Sequence, residues 1–243
     1  WELIEAIDLP AHAAPLAAEA RMLPEAPECP PGTMDLILAG GQLALQLHES
    51  CGHPIELDRV LGTEASYAGT SFLTPDKLGS FRYGSDRVNI TADATLPGGL
   101  GSFAYDDEGV PAQRSWIVRA GVFTGYLTSR ETAARIGLDS SKGSMRADGW
   151  ARLPLVRMTN VNLEPGEQSR EEIIASTDRG ILMEDNLSWS IDDRRLNFQF
   201  GCEIAWEVKD GALGRMLRNP TYTGIGPRFW QSMDMLSSEI VAW

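Results

Sequence analysis

Residues 32–58 read GTMDLILAGGQLALQLHESCGHPIELD, and the fold turns on how they are parsed. Residues 34–39 (MDLILA) are a short apolar run bounded by Gly32 on one side and by Gly40 and Gly41 on the other. A run of that length between glycines is consistent with a buried strand. Residues 42–51 are rich in Leu, Ala, Gln and Glu, all good helix formers, and predict a helix that stops at Gly52 and Pro54.

Downstream, between residues 63 and 128, short β-branched and aromatic segments alternate with Gly, Asp and Pro. Residues 87–91 (RVNIT), 115–119 (SWIVR) and 122–127 (VFTGYL) read as strands, the last two joined by a tight turn at Ala120 and Gly121. Residues 128–136 predict a short helix capped by Gly137. In residues 169–179, Ser169 at the N-cap and Glu172 three positions on form a capping box, with Gly180 at the far end. Residues 196–208 alternate strongly and turn at Lys209, Asp210 and Gly211, which predicts a second hairpin. The class that follows is α+β: a mainly antiparallel β-sheet domain with a few packed helices, one carrying a histidine motif.

Upstream, residues 11–23 predict a helix in which Pro15 must occupy the first turn. That helix runs into the breakers Pro24, Pro27, Pro30, Pro31 and Gly32. Residues 1–32 therefore read as the tail of a preceding domain and a Pro-rich linker, and residues 33–243 as the main domain. A chain that opens on Trp1 rather than Met reads as a piece of something longer.

The 243 residues carry 21 Lys and Arg against 34 Asp and Glu, a formal charge of −13. Such a surface repels phosphate backbones and anionic lipid, so neither nucleic acid nor membrane is an expected partner. Cys29, Cys51 and Cys202 are odd in number and widely spaced, which is no disulfide framework and favours a reducing cytoplasm. No apolar run approaches the ~20 residues of a membrane span, and no signal-peptide pattern opens the chain.

Of three histidines, His12, His48 and His53, two bracket a glutamate in His48-Glu49-Ser50-Cys51-Gly52-His53. Neutral imidazoles are favoured zinc ligands, and a neighbouring carboxylate can take a proton from water activated by the metal. Histidines at i and i+4 lie about 40° apart around a regular helix, whereas i and i+5 lie about 140° apart. The pair converges only if the helix ends or bulges between them, and Gly52 followed by Pro54 permits that. On spacing alone, a polar helix end with two surface histidines stands level with a metal site.

The wider sequence adds to the motif. Residues 32–58 resemble the start of the metal-bearing C-terminal domain in the TldD/PmbA family of bacterial metallopeptidases, which carries HExxxH after a short strand and a glycine pair. Further matches follow in the same order: Asp106-Asp107-Glu108-Gly109-Val110-Pro111, then residues 122–127, then Arg157-Met158-Thr159-Asn160. Glu164-Pro165-Gly166 ahead of the capped helix, and the strand at residues 198–208, complete the set. The resemblance covers residues 20–235, and Cys29-Pro30-Pro31-Gly32 suits the family's junction into this domain.

The resemblance implies that His48 and His53 are zinc ligands and that Glu49 is the general base. It places the third ligand on a cysteine in a Gly-rich segment beyond residue 243, so the domain at 33–243 reads as truncated at its C-terminus. Cys202 falls where the family has no ligand and reads as structural, as does Cys51. Members of the PmbA type lack the motif and pair with a TldD-type subunit, so the intact motif puts this chain on the catalytic side. The implied function is zinc-dependent cleavage of small or unfolded peptides, in a homo-dimer or a hetero-oligomer with a PmbA-like subunit. A strand edge suits such a peptide, because main-chain pairing tolerates any sequence. The alternative is a non-catalytic peptide-binding or partner subunit of the same fold. Asp106, Asp107 and Glu108 read as a solvated loop, Arg157 and Asn160 as structural hydrogen-bonders, and Trp116, Trp189 and Trp206 as core.

Overall fold

The computed structural model describes residues 1–241. Along the chain its helices and strands are α1 (Glu2–Ile7), α2 (Leu9–Met22), β1 (Asp35–Leu38), α3 (Gly40–Leu47), α4 (Leu57–Val60), α5 (Ala65–Ala68) and β2 (Ile90–Asp93). There follow β3 (Arg114–Arg119), β4 (Val122–Phe123), α6 (Arg130–Arg135), β5 (Met145–Arg146), β6 (Leu155–Val156), β7 (Asn160–Leu163) and α7 (Arg170–Ala175). Last come β8 (Arg179–Ile191), β9 (Asn197–Lys209), β10 (Ala212–Leu217), β11 (Thr221–Ile225) and α8 (Gly226–Gln231).

The alternation read at 196–208 becomes β9, the centre of the larger sheet. One end of β9 pairs with β11 and the other with β10, both antiparallel, while β8 pairs along nearly its whole length. β1 then adds to the outer side of β8, in parallel. The β9–β10 turn uses Asp210 and Gly211, both with positive φ, the geometry a tight hairpin demands. A second sheet has the order β4-β3-β2-β7, and β5 pairs with β6. The architecture is mixed α+β and mainly antiparallel, with β1–β8 the parallel exception among the named strands.

Boundaries moved where tertiary contacts compete with local signals. The Ser169 capping box forms, but α7 ends at Ala175, and Gly180 lies inside β8 rather than at a helix end. A Cβ on Gly180 would stand 2.8 Å from the Asp35 carbonyl oxygen, so glycine there lets β1 approach. The predicted strand at 87–91 shifts to Ile90–Asp93, and the one at 122–127 shortens to two residues. Upstream, α2 begins at Leu9 with Asp8 as its N-cap, so Pro15 sits in the helix interior and not in its first turn. No residue of α2 is buried.

The main core lies under the second sheet, where Ile90, Ile117, Val118 and Phe123 meet Leu73, Tyr83 and Trp230. Cys51, Ile55 and Leu57 belong to the same cluster, so the turn after α3 is embedded in the core. Trp116 is not core: its ring is 38% exposed and lies 5.5 and 5.4 Å from the guanidinium groups of Arg114 and Arg119. Trp189 is exposed, and Trp206, half-buried, donates its indole N–H to Glu184 Oε2 at 3.0 Å. Trp116 and Trp189 lie on faces that the fold leaves open, which strand alternation does not reveal, whereas Trp206 packs against the cluster of Ala26, Ile204 and Met216.

Candidate metal centre

After Leu47 the α-helix widens into one π-turn, His48–Gly52, and then tightens into a 3-10 turn, His53–Ile55. The backbone N–H of His53 donates to the His48 carbonyl, an i→i+5 bond that sets the two histidines over one another. Gly52 makes room for the turn, because a Cβ there would come within 2.0 Å of Met158 Sδ. From below, Tyr83 Oη donates to the Ser50 carbonyl at 2.8 Å, and Trp230 Nε1 donates to Ser50 Oγ at 2.9 Å. The distortion that i, i+5 spacing requires is therefore present, and the core supports it.

The rings of His48 and His53 lie 4.7 Å apart, edge to face, and donor atoms of His48, Glu49 and His53 all lie within 4.8 Å of one another. Two imidazoles and a carboxylate at that range are a borderline nitrogen and oxygen donor set, which suits zinc. Burial lowers the His48 pKa, and the neighbouring His53 lowers it further, so His48 stays neutral with a free lone pair.

Glu56 fixes His53. His53 Nδ1 lies 3.0 Å from Glu56 Oε2, and the carboxylate selects the tautomer that donates from Nδ1 and leaves Nε2 for a metal. Glu56 is fully buried. Burial alone would raise its pKa, but His53 and Arg59 outweigh it and hold it below the ordinary carboxylate range. Arg59 donates to Glu56 Oε2 from Nε at 3.1 Å and Nη2 at 2.9 Å, and the Met158 N–H reaches Oε1 at 3.2 Å. Behind them Arg157 clasps Glu64 at 2.8 and 2.9 Å. Glu56 was absent from the candidate site residues. Its signal was an acid three positions after His53, one turn of 3-10 helix on.

Arg195 is the second missed residue. Its Nη1 donates to Glu49 Oε2 at 2.8 Å, across 146 positions of sequence. It comes from the turn between β8 and β9, and nothing local marked it out.

Arg157 and Asn160 both make hydrogen bonds within the fold. Asn160 accepts from the Gly101 N–H and donates to the Asp93 carbonyl and Ser102 Oγ. Cys51 and Cys202 are buried, and burial pushes each thiol up to about 12, so both act as packing groups. In the acidic turn Asp107 is exposed and Glu108 half-exposed, as a solvated loop would have them, but Asp106 is not. Asp106 is buried and accepts from the N–H groups of Glu108, Val110 and Met145, because its carboxylate organises the turn it belongs to. A cleft of about 2100 Å³ runs past His48 and His53, lined by β1 and β7.

Residues 31–242 match the family model described as the PmbA/TldA metallopeptidase C-terminal domain. The chain belongs to the TldD/PmbA family. A metalloprotease of Methanocaldococcus jannaschii is 35% identical over 213 residues, covering 86% of this chain and 45% of that protein. A metalloprotease TldD homolog of Buchnera aphidicola from Schizaphis graminum is 31% identical over 213 residues, covering 88% of this chain and 42% of its own. The chain thus spans less than half the length of these relatives. The crystal structure of TldE from Thermococcus kodakarensis superposes with a TM-score of 0.71 at 22% identity, over 85% of this chain and 45% of that one, which shows a common fold. Among the described residues no helix is long and apolar enough to cross a membrane.

Proposed function

We propose that this chain is the metal-bearing part of a zinc-dependent peptidase, with His48 and His53 as ligands and Glu49 as general base. One observation carries the reading: the π-turn sets two imidazoles, five positions apart, 4.7 Å from each other beside a buried carboxylate. Family membership and relatives named metalloproteases support it. Zinc bound there would acidify water and polarise a peptide carbonyl. Glu49 Oε2 is engaged by Arg195, so Oε1 is the atom that accepts the proton of the attacking water and passes it to the leaving amine. Glu56 keeps His53 aimed through Nδ1.

The substrate we propose is an extended small or unfolded peptide. β1 pairs with β8 on one side only, and among the described residues its other edge is free along the cleft that reaches both histidines. A strand laid on that edge is held by main-chain hydrogen bonds, whatever its sequence. We further propose a third ligand on a cysteine beyond residue 243, a cytoplasmic protein, and assembly as a homo-dimer or with a PmbA-like subunit. Residues 1–32 belong, in this reading, to the end of a preceding domain.

Hydrolysis of an unfolded peptide by wild-type protein and by Glu49→Gln tests the assignment. The substitution is expected to lower kcat by about 10²–10⁴-fold, the usual contribution of a general base. Zinc content and folding should persist, whereas His48→Ala should lose zinc. Cleavage that survives Glu49→Gln removes Glu49 from the mechanism.

A further inference from the structure

A carboxylate oxygen of Glu49 lies within 4.8 Å of a ring nitrogen of each histidine, on the scale of a shared ion. An ionised carboxylate is a good zinc ligand, and two histidines with a glutamate are a familiar catalytic set. A carboxylate bound to the metal through its lone pairs is a poorer proton acceptor, so ligand and base are competing fates for the same group.

Arg195 decides between them. Its guanidinium is permanently charged, and it meets Glu49 with both side chains largely out of solvent, at 16% and 8% exposure. The turn that delivers it is held by hydrogen bonds within itself and to a second segment. Asp192 accepts from the N–H groups of Arg194, Leu196 and Asn197 and holds the tip in shape. The tip docks on a second segment, where the Thr70 N–H donates to the Asp193 carbonyl at 2.7 Å and the Phe72 N–H to the Arg194 carbonyl at 2.8 Å. Gly69 allows that approach, since a Cβ there would stand 2.2 Å from the Asp193 carbonyl oxygen. Arg195 itself has a left-handed backbone with φ of 60°. Its Nη2 also reaches the Ala68 carbonyl at 3.4 Å, while among the described residues its Nε is buried without a partner, so the side chain is placed for Glu49 at some expense of its own hydrogen bonding.

We infer, on the reading of His48 and His53 as zinc ligands, that Arg195 is a positioning residue which holds Glu49 out of the metal's coordination sphere and keeps it as a base. Without Arg195, Glu49 is a buried carboxylate with no counter-charge, and the nearest cation it can reach is the metal. The guanidinium therefore weakens metal binding in favour of turnover. An Arg195 that merely braced the fold would leave zinc affinity unchanged or reduce it.

Zinc affinity of the full-length protein, with the proposed ligand beyond residue 243 in place, measured by competition with a chromogenic chelator, is the readout. Arg195→Gln is expected to bind zinc about tenfold more tightly, the scale on which groups behind the ligands act, while peptide hydrolysis falls. In the Glu49→Gln background the same change should give a gain at least about threefold smaller, since the two groups are coupled. Arg195→Lys keeps the buried charge but loses the planar fork, and an intermediate gain is expected. It serves as the test should Arg195→Gln fail to fold by circular dichroism. An equal gain in both backgrounds means that Arg195 contributes only charge, and overturns the inference, as does unchanged or weaker affinity in Arg195→Lys and Arg195→Gln. Wild-type full-length protein that binds no zinc sinks the metal assignment as well, and that result is visible before any substitution.

Discussion

Glu56 shows how much of this site depends on single side chains behind it. One carboxylate oxygen serves His53 and Arg59 together, and the other takes the Met158 N–H. Glu56→Gln preserves the shape but replaces a charged acceptor with an amide that cannot satisfy all of these donors. Zinc affinity is expected to fall about 10–100-fold, measured by chelator competition. The same change strands the Arg59 guanidinium, which is 3% exposed and whose next carboxylate, on Glu64, is 3.9 Å away. Urea denaturation should register a loss of about 3–5 kcal/mol, the cost of breaking one side of a buried pair. An affinity unchanged in Glu56→Gln would mean that His53 is aimed by the π-turn alone.

At the scale of elements, local chemistry set the short helices and long-range pairing set the strands. α6 and α7 each begin with a serine that caps the backbone N–H three residues on, with a reciprocal bond from the third position. Ser129 is buried, whereas the box of Ser169 is open to solvent. Ser169→Ala should therefore cost about 1 kcal/mol, and Ser129→Ala about 2 kcal/mol. Chemical denaturation of the two variants distinguishes them, and equal losses would mean that burial adds nothing to the cap. β8 has no comparable local signal. It exists because β9 and β1 take up both of its edges, and the same pairing cut the predicted helix at 169–179 short.

Over the whole molecule, acid acts first on the metal centre. Burial, with His53 beside it, holds the His48 pKa below its ordinary 6.5 in the folded state. The unfolded chain then binds the extra proton more readily, so stability is full above pH 6.5 and declines as pH falls through the lowered folded value. Glu56 is also depressed when folded, and its contribution is lost later, below its ordinary 4.5. Asp58 is raised by burial and acts in the opposite sense, recovering some stability as it protonates. Thermal midpoints between pH 8 and 4 should begin to drop near pH 6.5, and His48→Gln should remove that first decline. A first decline that persists in His48→Gln would assign it to another group.

The sequence by itself determined the α+β class, the hairpin turns, the Ser169 capping box and the His48-Glu49-His53 motif with its need for a bulge. Each of these is settled within a few residues, by periodicity, by a glycine in the left-handed region, or by a side chain reaching three positions along. Only the tertiary structure decided that Glu56 is buried, that Asp106 organises its own turn from inside, that Trp116 stays outside, and that Arg195 meets Glu49. Burial and ion pairing between distant segments depend on which surfaces the sheets bring together, and that is a property of the packed chain which no local pattern carries.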